Sequence, residues 1–207
     1  MSHGFRGPHP LFMTIIQEKS RLRAEMRAAR AAVSPAQAEA AALAVADRAL
    51  ALTLEKLENP APVALYAPLP GELDSFPLLA ALARLGYPTL LPVAGEQATP
   101  LTFRLWRPGA PLVAGRFGLR EPSASAPEMR PEILFLPLLG FDAAGTRLGF
   151  GGGYYDATLD RLRAKGLTAA IGLAFSCQQA EKIPREKHDE KLDFVITEKK
   201  LFDFTDS

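Results

Sequence analysis

Apolar positions follow two rhythms along this chain, a spacing near 3.6 residues and short unbroken runs, and the two alternate from one end to the other. Between residues 14 and 32, Ile15, Ile16, Leu22 and Met26 are set among Lys19, Arg23, Arg27 and Arg30 in strong helix formers, which predicts an amphipathic first helix. Ser34-Pro-Ala-Gln37 supplies a cap, a proline at the first helical position and a capping-box partner, so an alanine-rich second helix is expected to about Leu54. After Pro60-Ala-Pro62, residues 63–66 have the length and flanks of a buried strand. Residues 77–85 read as a helix closed by Gly86, and 89–93 as the next strand. Residues 101–106 look extended, 133–136, 169–175 and 194–197 read as further strands, and 154–165 as a helix stopped by Gly166.

Strands alternating with helices predict an α/β protein of three layers, an open and mainly parallel sheet with helices on both faces, in a single domain over residues 14–207. Residues 1–13 read as a disordered leader, since the opening segment is rich in Gly, Pro and His. Residues 108–131, rich in Gly, Pro and Ser, read as a long excursion and a candidate lid.

Composition narrows the function. The 24 Lys and Arg against 23 Asp and Glu leave a formal charge of +1, which gives no global field for nucleic acid or an anionic membrane. One cysteine, Cys177, and three scattered histidines, His3, His9 and His188, suit a reducing compartment and little transition-metal chemistry. No apolar stretch approaches the roughly 20 residues of a membrane span, so a cytoplasmic location is expected, with the chain as a monomer.

In such a sheet ligands bind beyond the carboxyl ends of the strands. The segment from Gly140 to Asp156 follows a strand and runs into a helix, and Gly149, Gly151, Gly152 and Gly153 let its backbone N–H groups approach an anion. It lacks both the Walker ending and the dinucleotide fingerprint, so a tight structural turn and a phosphate cradle are both open readings. Arg147 at one end can clamp phosphate oxygens, and Asp156 in the first helical turn can hold a hard cation or merely complement the helix dipole. Asp160, one turn on, reads as solvated.

Lys19 and Arg23 share a helix face, continued by Arg27, that could reach a polyphosphate, although on spacing alone a solvated face is the better reading, and Arg27 and Arg30 are left to it. Glu72 and Asp74 follow the 63–66 strand: Glu72 is assigned to ligand and Asp74 to capping the next helix. Tyr66 and Trp106 offer ring faces to a heterocycle but fit a core as well. His188 and Asp189 read as surface, and Cys177 as a buried small apolar residue.

Taken in order, Lys19-x-x-Leu-Arg23, the 66–75 segment, Leu136-Pro-x-Leu-Gly-Phe-Asp142 and Arg147-Leu-Gly-Phe-Gly-Gly-Gly-Tyr-Tyr-Asp156 resemble the 5-formyltetrahydrofolate cyclo-ligase family, also called methenyltetrahydrofolate synthetases, over about residues 19–197. The resemblance implies ATP-dependent closure of 5-formyltetrahydrofolate to 5,10-methenyltetrahydrofolate with ADP and phosphate released and Mg2+ required. It places ATP on Lys19, Arg23 and the run Arg147, Leu148, Gly149, Phe150, Gly151, Gly152, Gly153, Tyr154 and Tyr155, with Lys19 and Arg147 in catalytic roles. Folate would meet Glu72 and residues 150–154, with Tyr66 and Trp106 as secondary contacts, and Asp156 and Asp193 would hold the metal. Some relatives carry basic residues where this chain has Phe150 and Gly152, so the loop here relies more on backbone N–H groups and Arg147. A sugar-phosphate isomerase and a non-catalytic nucleotide or folate binder on a similar sheet are the competing classes.

Overall fold

The computed structural model describes residues 14–205, so the expected leader at 1–13 lies outside the described residues. Helix α1 (Ile15–Ala31) opens on Thr14, whose hydroxyl accepts the Gln17 N–H while the Gln17 side chain accepts the Thr14 N–H. Helix α2 (Pro35–Lys56) repeats the device with Ser34 and Gln37, as its sequence predicts. Two shorter helices follow, α3 (Phe76–Arg84) and α4 (Tyr154–Arg163).

The strands are β1 (Val63–Ala64), β2 (Thr89–Val93), β3 (Thr102–Leu105), β4 (Val113–Ala114), β5 (Arg120–Glu121), β6 (Ile133–Pro137), β7 (Gly140–Phe141), β8 (Arg147–Leu148), β9 (Ala169–Leu173), β10 (Phe194–Ile196) and β11 (Leu201–Asp203). Seven of them form one sheet in the order β11-β10-β9-β6-β1-β2-β3. The five inner strands run parallel, with registers such as Val63↔Ile133 and Phe135↔Ile171, and the two edges, β3 and β11, pair antiparallel.

Alternate residues of the inner strands serve opposite faces, the period-two rule of a strand applied to a sheet buried on both sides. Leu65, Ile133, Phe135, Ile171 and Ile196 pack with Ala49, Leu52, Leu79 and Leu82 of α2 and α3. Ala64, Leu134, Leu136, Ala170 and Val195 pack with Leu159 and Leu162 of α4. The expected three layers are therefore present. Helix α1 belongs to neither layer: Leu22 and Met26 pack on Leu139, Leu148, Ala180 and Ile183, which sets the helix over the loops that leave the sheet.

Successive connections carry the chain from β1 to β2 on one side, while β6, β9 and β10 lie on the other. The loops after β1 and β6 thus diverge, which is where an open α/β sheet forms its crevice. Three pieces of pairing were not foreseen: edge strand β11, the β7–β8 hairpin inside the glycine-bearing loop, and the β4–β5 ribbon inside the 108–131 excursion. That ribbon is fixed rather than loose, because the buried Glu121 carboxylate accepts the Ala94 N–H at 2.9 Å.

Candidate active site

Above the β1/β6 divergence lies a cavity of about 820 Å³, bounded by α1, the loop after β1, the glycine loop and the 186–190 segment. The β7–β8 hairpin aims the glycine loop into it. Buried Asp142 organises that hairpin, accepting the N–H groups of Ala144 and Thr146 at 3.0 Å through one oxygen and that of Ile183 at 3.0 Å through the other. Gln178, which no sequence signal marked, donates to the Leu138 and Leu139 carbonyls just before the hairpin.

Arg23 donates from Nε to the Gly149 carbonyl at 2.9 Å, and Ala98 donates to the Gly152 carbonyl at 3.2 Å, so both flanks of the loop are pinned through their oxygens. The nitrogens are left unpaired: among the described residues no acceptor takes the N–H of Gly151, Gly152 or Gly153. Gly153 stands at φ 71°, the left-handed conformation that glycine adopts without strain, and opens α4 with no side-chain cap. An open helix N-terminus preceded by free amides is a receptor for an anion.

Arg147, which the sequence places at one end of the glycine segment, is buried within the β7–β8 hairpin. Its guanidinium pairs with Asp156 at 2.9 Å and lies 5.7 Å from the Tyr155 ring centroid, and its Nε has no hydrogen-bond partner. The absent side chain of Gly149 makes the room, since a Cβ there would stand 2.7 Å from Arg147 Nη1. Asp156 Oδ1 also accepts the Glu190 N–H at 3.2 Å, which ties α4 to the 186–190 segment.

Lys19 is buried, with Nζ 2.8 Å from Glu186 and 2.6 Å from Asp189. Burial alone would push this ammonium down, and hydrogen bonds and charge from Asp189 and Glu186 outweigh it, so its pKa is raised and the group stays charged. Burial likewise opposes ionisation of Asp189, but the Glu186 N–H and Lys19 lower its pKa overall. Glu186, His188 and Asp189 bring three ligand atoms within 4.8 Å of one another, although Lys19 already occupies two of these groups.

On the opposite wall, half-buried Glu72 accepts the Leu69 N–H at 2.9 Å. Burial pushes its carboxyl up; that hydrogen bond and the charge of Arg30 lower it without cancelling the rise. Folded protein then holds the Glu72 proton more tightly than unfolded chain, so stability falls as pH climbs from the ordinary glutamate value through the raised one. Glu72→Gln should remove that part of the fall, read as a smaller loss of Tm between about pH 4 and about pH 7 than in the unaltered chain. An unchanged loss would assign the slope to other groups. Tyr66, beside it, donates to the Leu73 carbonyl at 2.7 Å, and burial raises the pKa of both Tyr66 and Tyr155.

The cavity therefore gathers Lys19, Arg23, Tyr66, Glu72, Asp156 and every residue from Arg147 to Tyr155, drawn from three separate stretches. Two expected residues are elsewhere. Trp106 stacks on Phe76 with ring centroids 5.6 Å apart and donates to the Ala110 carbonyl, so its ring face is spent on the α2/α3 side of the sheet. Asp193 accepts the Ala170 N–H at 2.7 Å and pairs with Arg163 at 3.2 Å, outside the cavity wall. Asp74, expected to cap α3, accepts the Phe76 N–H from one residue before the N-cap; the N-cap itself is Ser75, whose hydroxyl donates to the Tyr66 carbonyl, so α3 has no side-chain cap. Asp160, assigned to solvent, is exposed but lies on the cavity wall. Cys177, expected to be buried, is exposed, with its sulfur 3.7 Å from the Ala29 carbonyl at the end of α1. Among the described residues no helix is long and apolar enough to cross a membrane.

An anion cradle and a buried Arg–carboxylate pair at a sheet switch point describe a class, an α/β protein built around a phosphate-bearing ligand. Comparison with known proteins makes this specific. The family model "5-formyltetrahydrofolate cyclo-ligase family" matches residues 15–198, and the chain belongs to this family. It is 34% identical to a 5-formyltetrahydrofolate cyclo-ligase of Haemophilus influenzae over 178 residues, 84% of this chain and 94% of the relative. It is 37% identical to that of Escherichia coli over 147 residues, 69% of this chain and 80% of the relative. The solved structure of Aquifex aeolicus 5,10-methenyltetrahydrofolate synthetase superposes with a TM-score of 0.73 at 29% identity, covering 91% of this chain and 94% of that one.

Proposed function

We propose that this chain cyclises 5-formyltetrahydrofolate to 5,10-methenyltetrahydrofolate at the expense of ATP. The observation that carries the reading is the glycine loop, whose residues line a cavity and whose N–H groups at 151–153 have no acceptor among the described residues, beside the Arg147–Asp156 pair, in a chain of this family. A formamide carbon is a weak electrophile and its oxygen a poor leaving group. Attack of the formyl oxygen on the γ-phosphorus releases ADP and leaves an iminium phosphate. The folate nitrogen at position 10 then adds to the formyl carbon and loses its proton, and phosphate departs with the oxygen.

No protein nucleophile is required, and the residues present serve position and charge. The loop amides and Arg147 receive phosphate oxygens; Arg23 holds the loop, and Lys19 brings a charge kept by its own anions. Glu72 and Tyr66 flank the folate ring on the far wall. Magnesium fits the donor set, since among the described residues the hydrogen bonds to Asp156 all fall on Oδ1 and none on Oδ2, and one carboxylate plus substrate phosphates is an ordinary magnesium shell. There it would neutralise phosphate charge, and Asp193, tied to Arg163, would not hold it without movement.

The test mixes purified protein, 5-formyltetrahydrofolate, ATP and magnesium and follows methenyltetrahydrofolate absorbance. A rise dependent on ATP is expected. A flat trace from folded protein that still binds both ligands would favour a binding protein, and a flat trace without ATP hydrolysis but with sugar-phosphate isomerisation would favour the other enzyme class.

A further inference from the structure

Arg30 closes the first helix, and its place in the sequence suggested only a solvated charge near a helix C-terminus. The structure puts it between two loops. Its Cζ lies 5.6 Å from the centroid of the Phe150 ring. Its Nε and Nη2 stand 3.7 and 3.8 Å from the point where a Cβ would sit on Gly71, whose φ of 80° keeps that turn open to it. Its Nη1 is buried with no hydrogen-bond partner. A buried donor without an acceptor is destabilising, so this placement is poorly explained by folding alone.

Glu72 and Phe150 both line the cavity, whereas Arg30 stands behind them, off its wall. We propose that Arg30 is a positioning residue, bracing the Gly71–Glu72 turn against Phe150 and so fixing the wall that receives the folate ring; this rests on the folate reading above. It is not a catalytic residue, since it reaches the cavity through the two side chains it supports. Charge adds to the brace, because Arg30 favours the ionised form of half-buried Glu72. A flat guanidinium on an aromatic face is also a geometry that lysine does not reproduce.

The experiment measures 5-formyltetrahydrofolate and magnesium-ATP binding separately by calorimetry, on the unaltered chain, Arg30→Ala, Arg30→Lys, Phe150→Leu and the Arg30→Ala/Phe150→Leu double variant. Arg30→Ala should weaken folate binding about tenfold and leave ATP binding within about twofold, with Arg30→Lys in between. In the Phe150→Leu background the same change should cost clearly less, as expected for two groups in contact. A lowered Tm with unchanged folate affinity, equal weakening of both ligands, full rescue by lysine, or strict additivity would each overturn the role of Arg30. An unaltered chain that binds no folate would overturn this role and the proposed function together; one that binds folate but ignores the loss of Arg30 overturns only this role.

Discussion

Arg147→Ala should reduce turnover by about 10²- to 10³-fold, the scale seen when one donor to a developing oxyanion is removed, and should also cost stability. The second effect follows from burial. Arg147 and Asp156 keep 5% and 21% of their side chains exposed, and removing the arginine strands a largely dehydrated carboxylate. Breaking a fully buried pair costs about 3–5 kcal/mol; discounted for the fifth of Asp156 still in water, roughly 2–3 kcal/mol is expected. For a domain of this size that is a Tm lower by roughly 5–10 °C. Activity measured well below the new Tm, per folded molecule, separates the two losses. A variant with reduced Tm and full turnover would remove Arg147 from the chemistry.

Asp156→Asn should raise the magnesium concentration needed for half-maximal rate by at least about tenfold, because a neutral amide oxygen is a far weaker ligand for a hard cation than a carboxylate. The substitution also replaces the Arg147 ion pair by a neutral contact, so some instability accompanies it. Losing only the helix-dipole interaction would cost about 0.3–1 kcal/mol and leave the magnesium titration where it was. Asp160→Asn and Asp193→Asn are the informative companions. The first lies exposed on the cavity wall and the second is bound to Arg163 and the Ala170 N–H. Asp156→Asn alone is expected to shift the titration; a shift for Asp193→Asn of equal size would mean that the 190–193 segment moves to the metal during turnover.

The inner strands were legible because a strand buried on both faces is an unbroken apolar run: residues 133–136 and 169–173 announce themselves. Edge strand β11 was not, since Leu201-Phe-Asp203 is short and half-exposed, and β7 and β8 hide as two-residue strands among glycines. Within the site, the glycine loop was readable from its own composition. Burial of Arg147 was not, because it depends on a hairpin whose turn Asp142 holds and ties to Ile183, 41 residues further on. Lys19 and Arg23 looked like any basic stripe until α1 was laid over the loops, and only the family resemblance pointed to them. Trp106 shows the opposite error: an aromatic that suited a heterocycle had a nearer partner in Phe76.

The ion pair between Lys19 and Asp189 spans 170 residues of sequence, and Lys19–Glu186 spans 167. During synthesis at about 5–20 residues per second, Lys19 leaves the ribosome roughly 10–30 seconds before its counter-charges exist. The first helix is made early, yet the ion pairs that hold Lys19 can form only after residues 186–189 have been made. Long-range closure of this kind is slow. A chain ending before residue 186 would carry the glycine loop and Arg147 but leave Lys19 without the two carboxylates that pair with it here.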